Sequence, residues 1–136
     1  LIAGAAILSG PMEGLNDSKL LTETSRDALY DRLMSGEHRI AISQIDAAEL
    51  DAMGLQNANY AAMARAAQVL DPCPDFLLVD GFEIRGCAIP QRRIIKGDRR
   101  SQSIAAASIV AKVTRDRIMV EFEDQYPGYG FASHKG

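Results

Sequence analysis

Short strand-like runs alternate along this chain with segments of helical period, and that alternation limits the fold more than any other feature. Leu1–Leu8 is a run of small and apolar residues closed by Ser9-Gly10-Pro11, too short for a buried helix and the right length for a buried strand. Thr22 is placed to cap a helix reaching about Met34, with Leu29, Tyr30 and Leu33 inward and Gly36 as its stop. His38–Ser43 is expected as a strand with Ile40 and Ile42 on one face, and Asp46 with Glu49 has capping-box spacing for a short helix ending near Gly54. Leu55–Leu70 continues as a helix with Ala62, Met63, Ala66 and Val69 at core spacing, ended by Asp71-Pro72-Cys73-Pro74. Phe76–Val79 and Arg93–Ile95 complete the expected strands, and Ile104 to about Gln125 forms a long helix halted by Pro127. Strands alternating with helices give an α/β domain, a central mixed sheet flanked by helices.

The 136 residues, with 47% hydrophobic and 24% charged content, suit one domain, residues 1–136, able to bury a core without metal or disulfide. Cys73 and Cys87 form no CxxC pair and are expected as free thiols. No apolar run reaches the roughly 20 residues needed to cross a bilayer. A chain that starts inside an apolar strand without Met is expected to be a fragment. Only His38 and His134 occur, so a Ser-His-Asp or Cys-His arrangement is poorly supplied. The glycine-rich loops that cradle dinucleotides or nucleoside triphosphates are absent as well.

The net charge of −3 hides a segregation. Residues 1–91 carry 6 Lys+Arg against 13 Asp+Glu, whereas residues 92–117 carry 8 against 2. A basic block inside an acidic chain suits a polyanion partner, and equally a solvated helix face.

Two carboxylates stand out. Asp80 closes an apolar strand and precedes Gly81, at the carboxyl end of a strand, where open α/β sheets place their sites; Asp-Gly is also a common turn pair. Asp98 lies in Lys96-Gly97-Asp98-Arg99-Arg100. There it either neutralises its neighbours or joins Asp80 in holding Mg²⁺, which takes one or two carboxylates plus substrate oxygens. Ser108, Lys112 and Arg115 share one face of the long helix by their spacing, behind a slim Ala105-Ala106-Ala107 segment. A helix starting at Ser101 or Ser103 aims free N–H groups at an anion.

Several segments, in order, resemble ribonuclease HII: Gly14-Leu15-Asn16-Asp17-Ser18-Lys19, Leu78-Val79-Asp80-Gly81, Lys96-Gly97-Asp98, Ile104 through Arg117, and Tyr126 through Gly136. The resemblance spans essentially the whole chain, and its last two segments are long and specific. It implies a ribonuclease H-like α/β fold, truncated at both ends. The implied activity is cleavage of the RNA strand of RNA–DNA hybrids, and of ribonucleotides within duplex DNA, leaving 5′-phosphate and 3′-hydroxyl ends. It also implies two-metal catalysis with Mg²⁺ or Mn²⁺ on four acids, of which Asp80 matches the third and Asp98 the fourth. Lys19, Ser108, Lys112 and Arg115 match backbone-phosphate contacts. Asp116 is expected to pair with neighbouring arginines, and His134 and Lys135 to be structural or close to substrate. The family's first two acids, an Asp-Glu pair in a motif ending Gly-Arg-Gly, precede its counterpart of Leu1–Leu8, and this sequence contains no such motif. The same is true of the family's tyrosine beyond His-Lys-Gly and of its C-terminal helices. Gly54 replaces a usual Asn, which implies a local helix change there.

The resulting expectation is a cytoplasmic, monomeric, metal-dependent endoribonuclease fragment with little activity alone and no membrane partner. A non-catalytic nucleic-acid-binding remnant is the alternative, and a small-molecule α/β enzyme with an unrelated basic face is a third.

Overall fold

The computed structural model describes residues 1–133. His134 and Lys135, whose role the sequence leaves open, lie outside the described residues. Strand β1 (Ile2–Ile7) pairs antiparallel with β2 (Arg39–Gln44), Ile2 opposite Gln44 and Ile7 opposite Arg39. Strand β3 (Leu77–Asp80) pairs parallel with β4 (Gln91–Ile94), which sets Asp80 opposite Ile94. The helices are α1 (Glu23–Leu33), α2 (Ala47–Met53), α3 (Leu55–Val69), α4 (Gly97–Arg100) and α5 (Gln102–Gln125), with single 3-10 turns at Ser18–Leu20 and Phe131–Ser133.

Alternation along β1 and β2 assigns the two faces of their ladder. Ala6, Leu8, Ile40 and Ile42 turn toward α1 and α5, packing around Leu29, Leu33, Ile109, Val110 and Val113. Ala3 and Ala5 turn the other way, onto Ile45, Ala58, Ala62 and Ala66 of the α3 side. Leu33 and Ile109 are wholly buried, and each such side chain is worth about 1.5–3 kcal/mol against exposure. Gly4 faces α5, and a Cβ built there would stand 2.5 Å from the carbonyl oxygen of Ala107. The missing side chain at Gly4 and the slim alanines of α5 are what let this helix lie against the strand.

Helix ends follow the local chemistry. Thr22 Oγ1 accepts from the Ser25 N–H at 3.1 Å, and Asp46 and Glu49 form the reciprocal capping box. Gly54, at φ 82°, ends α2 and opens α3, a turn that glycine adopts at least cost. Ser101 Oγ accepts from the Ile104 N–H and starts α5 at Gln102, earlier than the apolar period indicates.

Two expectations are corrected. Val69 is exposed and Ala58, Ala67 and Leu70 are buried instead; the buried row follows i+4 steps through Ala58, Ala62, Ala66 and Leu70, which leaves Val69 off the stripe. Strand β4 starts two residues early, because Leu77 pairs with Gln91 and the Gln91 amide clamps the N–H and C=O of Ile84. The mixed sheet is present as two separate ladders, with a cleft of about 470 Å³ between β1 and β3. Among the described residues no helix is long and apolar enough to cross a membrane, and Cys73 and Cys87 are free thiols.

Replacing Gly4 with Ala should push α5 off β1. Urea unfolding should show a loss of about 1–3 kcal/mol, the usual cost of overpacking. An unchanged midpoint would mean that the strand and helix are not in close contact there.

Candidate functional site: a carboxylate cluster beside a strand-end cleft

Asp80 is the last residue of β3, and Gly81, at φ 82°, turns the chain away immediately after it. The Gly81 N–H still donates to Ile94 C=O at 3.0 Å, so the strand end is held up to its final carboxylate. In the turn just past the neighbouring β4, Lys96 takes the left-handed conformation at φ 53° and Gly97 follows, opening α4. The Gly97 N–H donates to Asp80 Oδ1 at 2.8 Å. A Cβ at Gly97 would meet Ile104 Cδ1 at 2.6 Å and Asp80 Oδ1 at 3.3 Å. Glycine is therefore required where the two strand ends converge, and the hydrogen bond fixes one oxygen of Asp80.

Asp98 follows directly, and its environment is crowded with negative charge. Burial, a hydrogen bond with Asp17 and the charge of Asp80 push its carboxyl above the usual carboxylate range, while the nearby Lys19 ammonium opposes them. Asp17 is only 3% exposed. The Lys19 backbone N–H holds it below the usual range against burial, and Arg99 adds to the effect. Lys19 N–H donates to Asp17 Oδ1 at 3.0 Å and Arg99 Nε to Asp17 Oδ2 at 3.2 Å. The opposite shifts of Asp17 and Asp98 favour a proton on Asp98 and a charge on Asp17.

A second tie holds the same loop. The Gln102 side-chain amide accepts from the Met12 N–H at 3.0 Å and donates to the Met12 C=O at 2.8 Å. Together the two ties dock the segment between β1 and α1 onto the start of α5, and they bring Lys19 into the field of Asp98.

Sequence-expected residues divide accordingly. Asp80, Asp98 and Lys19 come together. Ser108 joins Asp80 in lining the cleft, along with Ser103 and Ala107, whereas Lys112 and Arg115 do not line it. Lys112 instead pairs with Asp116 at 3.1 Å, both side chains mostly buried. The expected partners of Asp116 were the arginines; one helical turn puts Lys112 nearer. The basic block is not one continuous face either. Arg99 is tied to Asp17, and Arg117 lies over the Tyr30 ring at 4.4 Å. Arg92, Arg93 and Arg100 line a smaller hollow with Ile94 and Ile95.

Asp17, Arg99 and Gln102 escape sequence reasoning, although Asp17 lies in the Asn-Asp-Ser-Lys segment that marks Lys19. Its Asx spacing to Lys19 was the available signal. Among the described residues no three or more His, Cys, Asp or Glu side chains are grouped to hold a metal ion. Asp17 is committed to Lys19 and Arg99, which leaves Asp80 and Asp98. Two carboxylates that repel each other fit a divalent cation completed by substrate oxygens, and do not fit a full protein cage.

Residues 5–136 match the family model described as Ribonuclease HII. The Ribonuclease HII of Salinispora arenicola (strain CNS-205) is 48% identical over 140 residues, covering 100% of this chain and 52% of that protein. That of Geotalea uraniireducens (strain Rf4) is 45% identical over 138 residues, covering 100% of this chain and 64% of that protein. The chain therefore spans about half to two thirds of the length of these relatives. The crystal structure of the ribonuclease H2 from Pyrococcus horikoshii OT3 superposes with a TM-score of 0.73 at 21% identity, covering 95% of this chain and 78% of that one. The α/β fold is thus that of the ribonuclease H2 structure.

Opposite shifts at Asp98 and Asp17 give opposite mutational signs at pH 7 without added metal. Asp98 has a raised carboxyl, so its contribution to stability declines as pH climbs through that raised value; Asp98→Asn should melt higher than the parent chain. Asp17 has a depressed carboxyl, so its contribution is complete above the ordinary carboxylate value and is lost in acid; Asp17→Asn should melt lower. Thermal unfolding of both variants checks this, and equal signs would break the assignment.

Proposed function

The chain belongs to the ribonuclease HII family, and from that membership we propose that it carries the Asp80–Asp98 part of an endonuclease site. The substrates are the RNA strand of RNA–DNA hybrids and ribonucleotides embedded in duplex DNA, and the products carry 5′-phosphate and 3′-hydroxyl ends. The observation that supports this best is the convergence of Asp80 and Asp98 at adjoining strand ends, with Lys19 close enough to act on Asp98.

Asp80 and Asp98 are the proposed ligands for Mg²⁺ or Mn²⁺. When bound, such ions activate water and stabilise the leaving oxygen of an in-line phosphodiester displacement. The remaining work falls to the chain itself. Gly97 N–H occupies Asp80 Oδ1 and leaves Oδ2 for a cation. Asp17 would accept a hydrogen bond from Asp98 while Asp98 is protonated. Lys19 supplies positive charge where a scissile phosphate would lie, and the Ser108 hydroxyl, lining the cleft with Asp80, donates to a backbone phosphate. Lys112 and Arg115 extend the phosphate track along α5, with Lys112 exchanging Asp116 for the nucleic acid. The 2′-hydroxyl distinguishes a ribonucleotide from its neighbours and must be read directly. Monomeric action in the cytoplasm belongs to the same proposal.

A non-catalytic, hybrid-binding role is favoured over turnover by one observation, the absence of a third available carboxylate among the described residues. A cleavage assay separates the two. The 136-residue chain should cut a ribonucleotide-containing duplex very slowly in Mg²⁺ or Mn²⁺. A protein joining it to an Asp-Glu/Gly-Arg-Gly segment should cut well, and Asp80→Asn in that protein should abolish turnover while hybrid affinity is retained. Retained turnover would remove Asp80 from the site, and brisk cleavage by the chain alone would misplace the site.

A further inference from the structure

Resting on the hybrid-binding function above, we propose that Arg92, Arg93 and Arg100 form a separate phosphodiester-binding pocket on the β4 side of the carboxylate pair. The three side chains line one hollow of about 260 Å³, floored by Ile94 and Ile95. Each arginine is exposed. None of the three makes an ion pair, side-chain hydrogen bond or ring contact with a described residue. Of the other arginines, Arg26 donates to two carbonyls, Arg65 pairs with Glu49, Arg99 with Asp17, and Arg117 covers Tyr30; Arg32, Arg39 and Arg85 are as unengaged as the three, but none of them lines this hollow.

Three guanidinium groups gathered without a counter-charge repel one another, and the repulsion is relieved by an anion that takes several N–H donors at once. A phosphodiester does this, because the planar fork of arginine matches its oxygens. The position is also suitable. Ile94 is the register partner of Asp80, and Arg100 lies two residues beyond Asp98, so a strand crossing the carboxylates reaches the hollow with a neighbouring phosphate. Lys19 stands on the Ser18–Leu20 turn and Ser108 on α5, and the arginines stand on β4 and α4, so the backbone is gripped on both flanks.

The competing explanation is that charges on β4 only prevent edge-to-edge association of the sheet. Fluorescence-anisotropy binding of the chain to an RNA–DNA hybrid across a salt series distinguishes them. Each phosphate contact contributes about 0.9 to the slope of log affinity against log salt on a B-form duplex. The R92Q/R93Q/R100Q variant should therefore lose roughly two to three units of slope, and R92K/R93K/R100K should keep most of it. An unchanged slope in the glutamine variant overturns the pocket, and so does new self-association with the slope intact. If the unsubstituted chain shows no salt-dependent hybrid binding, the function itself fails and the pocket with it. A steep parental slope shared by the glutamine variant sinks the pocket alone.

Discussion

The close approach of α5 to β1 is the contact on which the other features depend. With no side chain at Gly4, the backbone of Ala107 comes within reach of the strand, and the long helix lies flat on the ladder. Its start is then fixed beside the end of β3. Ser101, Gln102 and the short α4 turn inherit that position, and Asp98 is delivered to Asp80 as a consequence. The apolar packing of Ile109, Val110 and Val113 against α1 and the ladder sets the helix axis. Gly4 sets its distance.

At the site, the fold brings like charges together and leaves the imbalance uncorrected at Asp98. Three carboxylates meet: Asp17 is held by a backbone N–H and the guanidinium of Arg99, Asp80 by the Gly97 N–H, and Asp98 is left with the field of Lys19 against its acidic neighbours. Asp80 and Asp98 are half-buried, and like charges held that close raise the cost of ionising both. An unrelieved pair at a strand end is the arrangement expected where relief comes from outside the chain.

Much of this was legible in the residues. The capping chemistry of Thr22 and of Asp46 with Glu49, the two-faced alternation of β1 and β2, and the breaks at Gly54 and Pro72 are local effects, and local rules found them. Asp80 and Asp98 were conspicuous because each ends a strand-like run. What could not be read was long-range pairing. Nothing near Asp17 announces Arg99, and nothing near Met12 announces Gln102, because each pair meets only after α5 has docked. The basic block was legible only as a count for the same reason: a run of charges says how many cations there are but not which become partners of Asp17, Asp116 or Tyr30. Val69 was misassigned because i+3 and i+4 steps from Ala66 both reach an apolar residue, and the i+4 step to Leu70 is the one that packs.

The two ties on the loop between β1 and α1 differ in kind. Gln102 grips both polar atoms of the Met12 backbone with an uncharged amide, so no proton enters or leaves that junction at any ordinary pH. The junction at Asp17 is a carboxylate holding a backbone N–H and a guanidinium, and protonation removes its charge. Acid therefore loosens one end of the segment while the other remains docked. The turn that carries Lys19 keeps its Gln102 anchor, and the Arg26 guanidinium still donates to the carbonyls of Ser18 and Leu21, so an acidic medium weakens one of several holds on that lysine's turn.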